Sequence, residues 1–159
     1  PEHVAELHRM TEWPIIADAM SSMRHLDGVV STADALLRHE GFSADHAPEV
    51  VVRIGRPAAS KVLAQWTARP DLVLIQVGGP GRVDPARNVS AVCRIEDLLA
   101  ARPRGATGTP WLARWRRAER TADEVIADVV ARHDRLSEPA VARLLCRRLG
   151  TDAGLTVAS

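Results

Sequence analysis

The hydrophobic positions of this chain alternate between helical spacing and short β-branched runs. Apolar residues three or four positions apart predict helices over residues 1–11, 31–41, 57–66, 95–101, 110–129 and 140–149. Runs of β-branched and other apolar residues predict strands over residues 13–18, 50–54, 72–77, 89–93 and 155–158. Because strands and helices alternate throughout, we expect an α/β fold with a mostly parallel sheet and helices on both faces.

Capping residues predict where several of these helices begin and end. Ser31 and Thr32 are candidate N-caps of the second helix, and Gly41 is placed to end it. Pro57 suits the first turn of the third helix, and Thr109 is a candidate N-cap of the long fifth helix.

A connector rich in Pro, Gly and Arg follows the fourth helix and predicts a domain boundary. We therefore expect residues 1–102 to form one α/β domain whose first strand is missing from the sequence. Residues 103–150 are expected to form a connector and linker helices. Residues 151–159 are expected to begin a further domain, because a strand starts there at the point where the sequence stops.

Composition and charge narrow the class of protein. With 159 residues, of which 46% are hydrophobic and 26% charged, the chain has the composition of a globular domain. The formal net charge is +1 with acidic and basic residues interspersed, which provides no basic field for nucleic acid. The apolar runs are far shorter than the roughly 18 residues that span a bilayer. Cys93 and Cys146 form no paired motif and are expected to be small buried residues in a reducing compartment, which predicts a cytoplasmic protein.

Several well-known motifs are absent or incomplete. The six histidines show no metal-ligand spacing and are expected to be dispersed over the surface. Residues 55–61 lack the second glycine of a phosphate-binding loop, and residues 78–84 lack the third glycine of a dinucleotide-binding turn. Trp66, Trp111 and Trp115 lie on the apolar faces of predicted helices, so we expect them in the core and not as stacking platforms for bases.

The predicted long helix also carries a basic cluster that is offset by acidic residues. Glu119, Asp123 and Glu124 lie at helical distances from Arg114, Arg116, Arg117 and Arg120. Interspersed charge of this kind is typical of a solvated helix face, and it predicts no function.

One basic residue differs from the rest in type. Of the 21 basic residues 20 are arginine, and Lys61 is the only lysine. A strong arginine bias should have replaced any lysine that needs only its positive charge. The survival of Lys61 therefore indicates a position where a compact ammonium group fits and a planar guanidinium group does not. The alternative is the chance survival of one surface lysine.

Two arginines stand out by their position in the predicted topology. Arg56 directly follows the strand at residues 50–54, and Arg82 lies in the loop after the strand at residues 72–77. The carboxyl ends of parallel strands are where open α/β sheets bind ligands, and Arg56 and Lys61 also flank a predicted helix N-terminus. We therefore predict a carboxylate or phosphate pocket at this edge. The alternative is that the two arginines contact other domains or water.

Sequence motifs along nearly the whole chain resemble one family of enzymes. In chain order, the motifs are Trp13–Asp18, Ser21–Arg24, Val51–Gly55, Ser60–Lys61 with Trp66, Gly81–Pro85, the helix with Trp111 and Trp115, and Leu155–Ser159. Their order and content resemble the 2-succinyl-5-enolpyruvyl-6-hydroxy-3-cyclohexene-1-carboxylate (SEPHCHC) synthases of menaquinone biosynthesis. They fit other thiamine diphosphate enzymes, such as acetolactate synthase, less well.

The resemblance implies that this chain is the central, Rossmann-like domain of a three-domain transferase that works as a dimer or tetramer. Such enzymes decarboxylate 2-oxoglutarate and add the succinyl-semialdehyde unit to isochorismate, with thiamine diphosphate and Mg²⁺ as cofactors. The groups that bind these cofactors have no counterpart in this chain. The resemblance therefore implies no catalytic, cofactor-binding or metal-binding residue here, and a chain that is inactive and binds no cofactor without the flanking domains of the same polypeptide.

The resemblance assigns one substrate-binding residue, and the topology adds a possible second site. The lysine of the family at the position of Lys61 belongs to the pocket for the anionic substrates. Arg56 and Arg82 would then form an anion site remote from the chemistry, a possible regulatory site for a downstream naphthoate. Two other functions stay open at this point: a free-standing Rossmann-like module that binds a small anion or nucleotide, and a purely structural spacer.

Overall fold

The computed structural model describes residues 1–18, 21, 23–79, 81–103, 110–133, 135–150 and 153–154. Its helices are α1 (Glu2–Thr11), α2 (Ala33–Leu37), α3 (Glu40–Asp45), α4 (Lys61–Trp66), α5 (Ile95–Ala100), α6 (Pro110–Ala131) and α7 (Glu138–Arg148). Its strands are β1 (Ile15–Ile16), β2 (Val29–Val30), β3 (Val50–Ile54), β4 (Val73–Val77) and β5 (Val89–Cys93). The candidate cap Thr109 and the predicted strand at residues 155–158 lie outside the described residues. None of the described helices is long and apolar enough to cross a membrane.

All the strand pairs that the structure describes are parallel. Strand β1 pairs with β2, and β3, β4 and β5 form a second sheet in that order. Strands β3 and β4 are in continuous register from Val50 opposite Val73 to Ile54 opposite Val77. Helices α1 and α5 contact each other, and α2 contacts α3 and α4. The predicted α/β, Rossmann-like fold class is thus confirmed.

The helix predicted over residues 31–41 is in fact two helices, so its predicted end at Gly41 is wrong. Helix α2 ends at Leu37, and α3 begins at Glu40 after His39. The backbone of His39 is extended, and its imidazole Nδ1 accepts a hydrogen bond from the N–H of Phe42 at 3.2 Å. The imidazole therefore acts as the N-cap of α3 and makes Gly41 an internal helical residue.

The first sheet also differs from the predicted pattern. Of the strand predicted over residues 13–18, only Ile15 and Ile16 pair, and they pair with Val29 and Val30. The sequence pattern predicts no strand at Val29, because two residues are too few to show a period of two.

The core of the described chain is built around Trp115, whose side chain is fully buried. Four rings surround it, with centroids 5.1 Å away for Phe42, 5.1 Å for His46, 6.0 Å for Trp66 and 6.3 Å for Trp111. All four contacts are edge-to-face, the arrangement that aromatic quadrupoles favour. The predicted role of the tryptophans as core residues is therefore confirmed.

This cluster also corrects the prediction that all histidines are dispersed over the surface. His46 is buried and stacks on Phe42, with ring centroids 3.8 Å apart. Its Nδ1 lies 3.0 Å from the carbonyl oxygen of Phe42. The imidazole thus packs on an aromatic ring and bonds one backbone carbonyl through Nδ1, while its Nε2 is buried without a hydrogen-bond partner among the described residues.

Glu119 has a structural role that the charge pattern did not predict. Its carboxylate accepts hydrogen bonds from the backbone N–H of Ser31 at 3.0 Å and of Thr32 at 2.9 Å. It also accepts hydrogen bonds from both hydroxyl groups. Glu119 thus caps the N-terminus of α2 from another helix, where a negative charge is favourable. Thr32 is the N-cap residue of α2, as predicted, although its own side chain makes no capping hydrogen bond. The prediction that Glu119 belongs to a solvated face is wrong.

The chain divides into two compact units, Pro1–Ala122 and Asp123–Ser159. The first contains both sheets and the aromatic core. In the second, Asp123 and Arg143 form a salt bridge of 2.9 Å. Cys146 is exposed and Cys93 only partly buried, so the prediction that both are buried is wrong. Cys146 is exposed because it lies on α7, a helix in which no residue is buried. The predicted domain limits near residues 102 and 150 stay predictions.

Candidate functional site

The loop after β4 is held by one buried side chain, Gln76. This residue lies in β4 and has no exposed surface. Its Nε2 donates to the carbonyl oxygens of Gly78 at 3.1 Å and Gly81 at 2.7 Å. Its Oε1 accepts from the N–H of Val83 at 2.9 Å and from Nη2 of Arg53 at 3.2 Å. The amide thus satisfies three backbone groups of the loop and positions it at the carboxyl end of the sheet.

Arg53 completes this network from the neighbouring strand. Its Nη2 donates to the carbonyl oxygen of Val83 as well as to Gln76, while its Nε is buried without a hydrogen-bond partner. Burial lowers the pKa of Arg53, and the nearby carboxylate of Asp84 opposes that shift. The guanidinium group therefore stabilises the loop through its Nη2.

Asp84 accepts hydrogen bonds from three sides and holds Arg82. Its carboxylate accepts from Nη2 of Arg82 at 2.9 Å and from the N–H of Asn88 at 2.8 Å and of Val89 at 3.2 Å. Burial raises the pKa of Asp84, but the hydrogen bonds from Arg82, Asn88 and Val89 outweigh it, and the net shift is downward. Arg82 also donates to the carbonyl oxygen of Val89 at 2.6 Å. An anion that binds Arg82 would therefore compete with Asp84.

Arg56 lies in a different setting. It is exposed, and it lines a cleft of about 950 Å³ between β1 and β3. In the part of the chain that the structure describes, no carboxylate forms a salt bridge with Arg56. The structure thus places Arg56 and Arg82 after neighbouring strands, as predicted. The convergence of their guanidinium groups on one anion stays a prediction.

Lys61 is the first residue of α4, and the residue before it fixes the start of that helix. The hydroxyl of Ser60 accepts from the N–H of Leu63 at 3.1 Å and donates to the carboxylate of Asp34. This hydrogen bond, followed by that from Arg38, lowers the pKa of Asp34. Ser60 and Asp34 therefore position Lys61 at the N-terminal end of α4.

The expected helix start at Pro57 is wrong, because the helix begins only after the cap at Ser60. Arg56 therefore does not flank the N-terminus of α4, and the anion-binding argument from free helix N–H groups does not apply to it. Lys61 itself is exposed, and among the described residues no carboxylate pairs with it. A cation at a helix N-terminus opposes the helix dipole, so local stability does not explain why Lys61 is there.

The described residues do not fit a metal-diphosphate site. Among them, no group of three or more His, Cys, Asp or Glu side chains is placed to hold a metal ion. The acidic residues near the sheet edge are engaged by arginines and backbone N–H groups, as Asp84 illustrates.

Comparison with known proteins matches the chain to one family along almost all of its length. The family model described as the middle domain of thiamine pyrophosphate enzymes matches residues 1–157. The SEPHCHC synthase of Myxococcus xanthus is 33% identical over 98% of this chain, and that of Rubrobacter xylanophilus is 31% identical over 99%. The SEPHCHC synthase of Synechococcus elongatus is 28% identical over 98%. The predicted resemblance is thus confirmed.

The match covers only part of each relative. The chain spans 28% of the length of the Myxococcus and Synechococcus proteins and 29% of the Rubrobacter protein. The similarity therefore concerns one domain of a longer enzyme in each of these organisms.

Proposed function

The chain belongs to the family of middle domains of thiamine pyrophosphate enzymes, and we propose that it is the central domain of a SEPHCHC synthase. The observation that carries this proposal is the 33% identity to the Myxococcus enzyme over 98% of the chain. The intact enzyme would decarboxylate 2-oxoglutarate and add the succinyl-semialdehyde unit to isochorismate. Thiamine diphosphate would supply the carbanion chemistry when bound by the flanking domains, with Mg²⁺ holding its diphosphate.

In this proposal the central domain contributes charge to the substrate pocket through Lys61. Both substrates carry carboxylates, which a positioned ammonium group can neutralise and orient. Three observations support the role: Lys61 is the only lysine, it is exposed, and no carboxylate among the described residues pairs with it. Ser60 and Asp34 are positioning residues, because they fix the backbone from which Lys61 extends.

Replacing Lys61 with alanine in the intact enzyme is expected to lower kcat/KM for one substrate by about 1.5 to 3 kcal/mol, the worth of one charge-assisted contact. This corresponds to roughly 10- to 150-fold in kcat/KM. The Lys61→Arg enzyme should recover little of the kcat/KM that Lys61→Ala loses, because the planar guanidinium group is larger than an ammonium group and has a different geometry. Gln65→Ala, an exposed change on the same helix, is the matched control and should leave kcat/KM unchanged. A Lys61→Arg enzyme with wild-type kinetics would contradict the assigned role.

We also propose that Arg56 and Arg82 bind a carboxylate at the edge of the sheet and regulate the enzyme. The exposure of Arg56 supports the proposed anion site. Arg82 forms a salt bridge with Asp84, so an anion that binds Arg82 must displace the Asp84 carboxylate. Regulation requires the ligand to prefer one conformational state of the enzyme.

The double variant Arg56→Ala/Arg82→Ala is expected to lose inhibition by 1,4-dihydroxy-2-naphthoate while keeping its uninhibited rate. Coupling of about 1 to 3 kcal/mol means that saturating ligand weakens substrate binding to the wild type roughly 5- to 150-fold, and this effect should be absent from the double variant. Arg114→Ala/Arg117→Ala removes two exposed arginines elsewhere and serves as the control. Equal inhibition of the wild type and the Arg56/Arg82 variant would remove the regulatory site.

A further inference from the structure

Strand β5 is an edge strand whose outer side has no partner strand among the described residues. The order of its sheet is β3, β4, β5, and β5 pairs only with β4. The N–H of Gly78, in the loop after β4, donates to the carbonyl oxygen of Cys93 at 3.2 Å. Because the backbone groups of alternate strand residues point to opposite sides, those of Val92 point away from β4. Val92 therefore directs one donor and one acceptor outward.

The residues of β5 lack the features that protect most edge strands from pairing. Such strands usually carry charged residues or proline, or they bulge away from a possible partner. The segment Val89–Cys93 contains neither a charged residue nor a proline. A register shift separates Val89 from Ala91, but from Ala91 to Cys93 the strand stays in continuous register with β4. The carboxyl half of β5 is thus a regular, uncharged edge.

The exposure of β5 indicates that its centre is uncovered on both faces. Three consecutive residues, Ser90, Ala91 and Val92, are exposed. Successive side chains of a strand point to opposite faces, so neither face is covered at these positions. Val92 is β-branched and 49% exposed, and its burial would be favourable. An occupant of this edge must therefore offer backbone groups to Val92 and apolar side chains beside it.

The two ends of β5 carry opposite charges. Arg87 precedes the strand, and Glu96 lies in the first turn of α5, which follows the strand. Both side chains are exposed, and neither forms a salt bridge within the described part of the chain. Arg94, also at the carboxyl end, is paired with Asp97. The edge is therefore positive at its amino end and negative at its carboxyl end.

We propose that β5 pairs with β5 of a second copy of this chain, antiparallel about a two-fold axis at Val92. The two Val92 residues would exchange both backbone hydrogen bonds, with their Cα atoms about 5.5 Å apart. Arg87 of each copy would lie near Glu96 of the other, which gives two symmetric ion pairs. The two three-stranded sheets would join into one continuous sheet across both copies.

The charge pattern selects a second copy in this orientation. A two-fold interface is self-complementary, because each residue that contacts a second residue is contacted by it in return. An antiparallel copy brings each positive end of β5 beside a negative end, whereas a parallel copy would bring Arg87 beside Arg87 and Glu96 beside Glu96. The inference goes beyond the proposed function, since it neither requires the enzymatic activity nor follows from it.

The proposal is tested by disulfide cross-linking of the intact polypeptide in a Cys93→Ala/Cys146→Ala background. Val92→Cys places two thiols across the axis at a Cα separation that a disulfide bridges. Val73→Cys is the matched control, because Val73 is 45% exposed but lies in β4, away from the edge. At about 10 µM protein, we expect Val92→Cys to form covalent dimers about a hundredfold faster than the control, since the effective thiol concentration would be millimolar.

Charge reversal in the Val92→Cys protein provides a second measurement. Arg87→Glu alone or Glu96→Arg alone should slow cross-linking about tenfold, because each change places like charges together at both symmetric contacts. The double change Arg87→Glu/Glu96→Arg restores opposite charges and should recover most of the rate. Arg114→Glu reverses an exposed arginine on α6 and should leave the rate unchanged.

Equal cross-linking rates for Val92→Cys and Val73→Cys would overturn the proposal. A double charge variant that stays as slow as the single variants would contradict the antiparallel arrangement. Slow hydrogen exchange at the N–H of Val92, in a polypeptide whose Val92→Cys variant does not cross-link, would identify a different strand as the occupant and would also overturn the proposal. None of these measurements depends on catalysis, so they leave the proposed function to its own test.

Discussion

Replacing Trp115 with alanine is expected to lower the free energy of unfolding of the chain by about 3 to 5 kcal/mol. Trp115 is fully buried and contacts the rings of Phe42, His46, Trp66 and Trp111. Its removal leaves a cavity at the centre of the cluster, and the surrounding rings are too rigid to fill it. Urea unfolding of the wild type and the variant measures the difference.

Two further variants separate packing from other effects. The indole Nε1 of Trp115 is buried without a hydrogen-bond partner, so Trp115→Phe removes no hydrogen bond and should cost clearly less than alanine. Val125→Ala changes a residue on the same helix that is 56% exposed and should alter stability by less than about 0.5 kcal/mol. A Trp115→Ala chain within about 1 kcal/mol of the wild type would show that the ring cluster is not the core.

Replacing Gln76 with leucine is expected to lower the free energy of unfolding by about 3 to 5 kcal/mol, although the two side chains are similar in size. The substitution leaves the carbonyl oxygens of Gly78 and Gly81 and the N–H of Val83 without their partner. It also removes one acceptor from the partly buried guanidinium group of Arg53. Buried polar groups that lose their partner lower stability, and the loss is larger for a charged group such as the guanidinium of Arg53.

The matched control for this change is Gln65→Leu, the same substitution at an exposed position of α4, which should be nearly neutral. The loop after β4 should also lose order in the Gln76→Leu chain, so the amides at residues 81–84 should exchange faster. Equal stability of the Gln76 and Gln65 variants would contradict the role of Gln76 in holding the loop.

The strands with strong local patterns could be predicted from sequence to within a residue. The β-branched run at Val50–Ile54 and the run at Val89–Cys93 coincide with β3 and β5. Side-chain period and β-propensity are local properties, so the sequence carries them directly. Gln76 could also be recognised from the sequence, because it is the one polar residue in the apolar run of β4. Its hydrogen-bond partners could not, because they belong to the folded loop.

Two of the differences from prediction involve a residue distant in sequence, whereas the division of the helix at His39 has a local cause, the cap on Phe42. The start of α4 depends on Asp34, which lies 26 positions from the Ser60 that it holds. The cap of α2 comes from Glu119, 88 positions from Ser31. Neither pairing leaves a periodic signal in its own segment. At the candidate site the unusual residue Lys61 could be recognised from composition, whereas the network that engages Arg82 through Asp84 required the structure.

Product formation by the intact polypeptide tests most directly the proposal that this chain is the central domain of a SEPHCHC synthase. The purified enzyme is supplied with 2-oxoglutarate, isochorismate, thiamine diphosphate and Mg²⁺, and carbon dioxide and SEPHCHC are quantified together. We predict one carbon dioxide released for each SEPHCHC formed, with no product when isochorismate or thiamine diphosphate is omitted. A parallel reaction replaces both substrates with pyruvate. Carbon dioxide and acetolactate from pyruvate, with no SEPHCHC from 2-oxoglutarate and isochorismate, would contradict the proposed function.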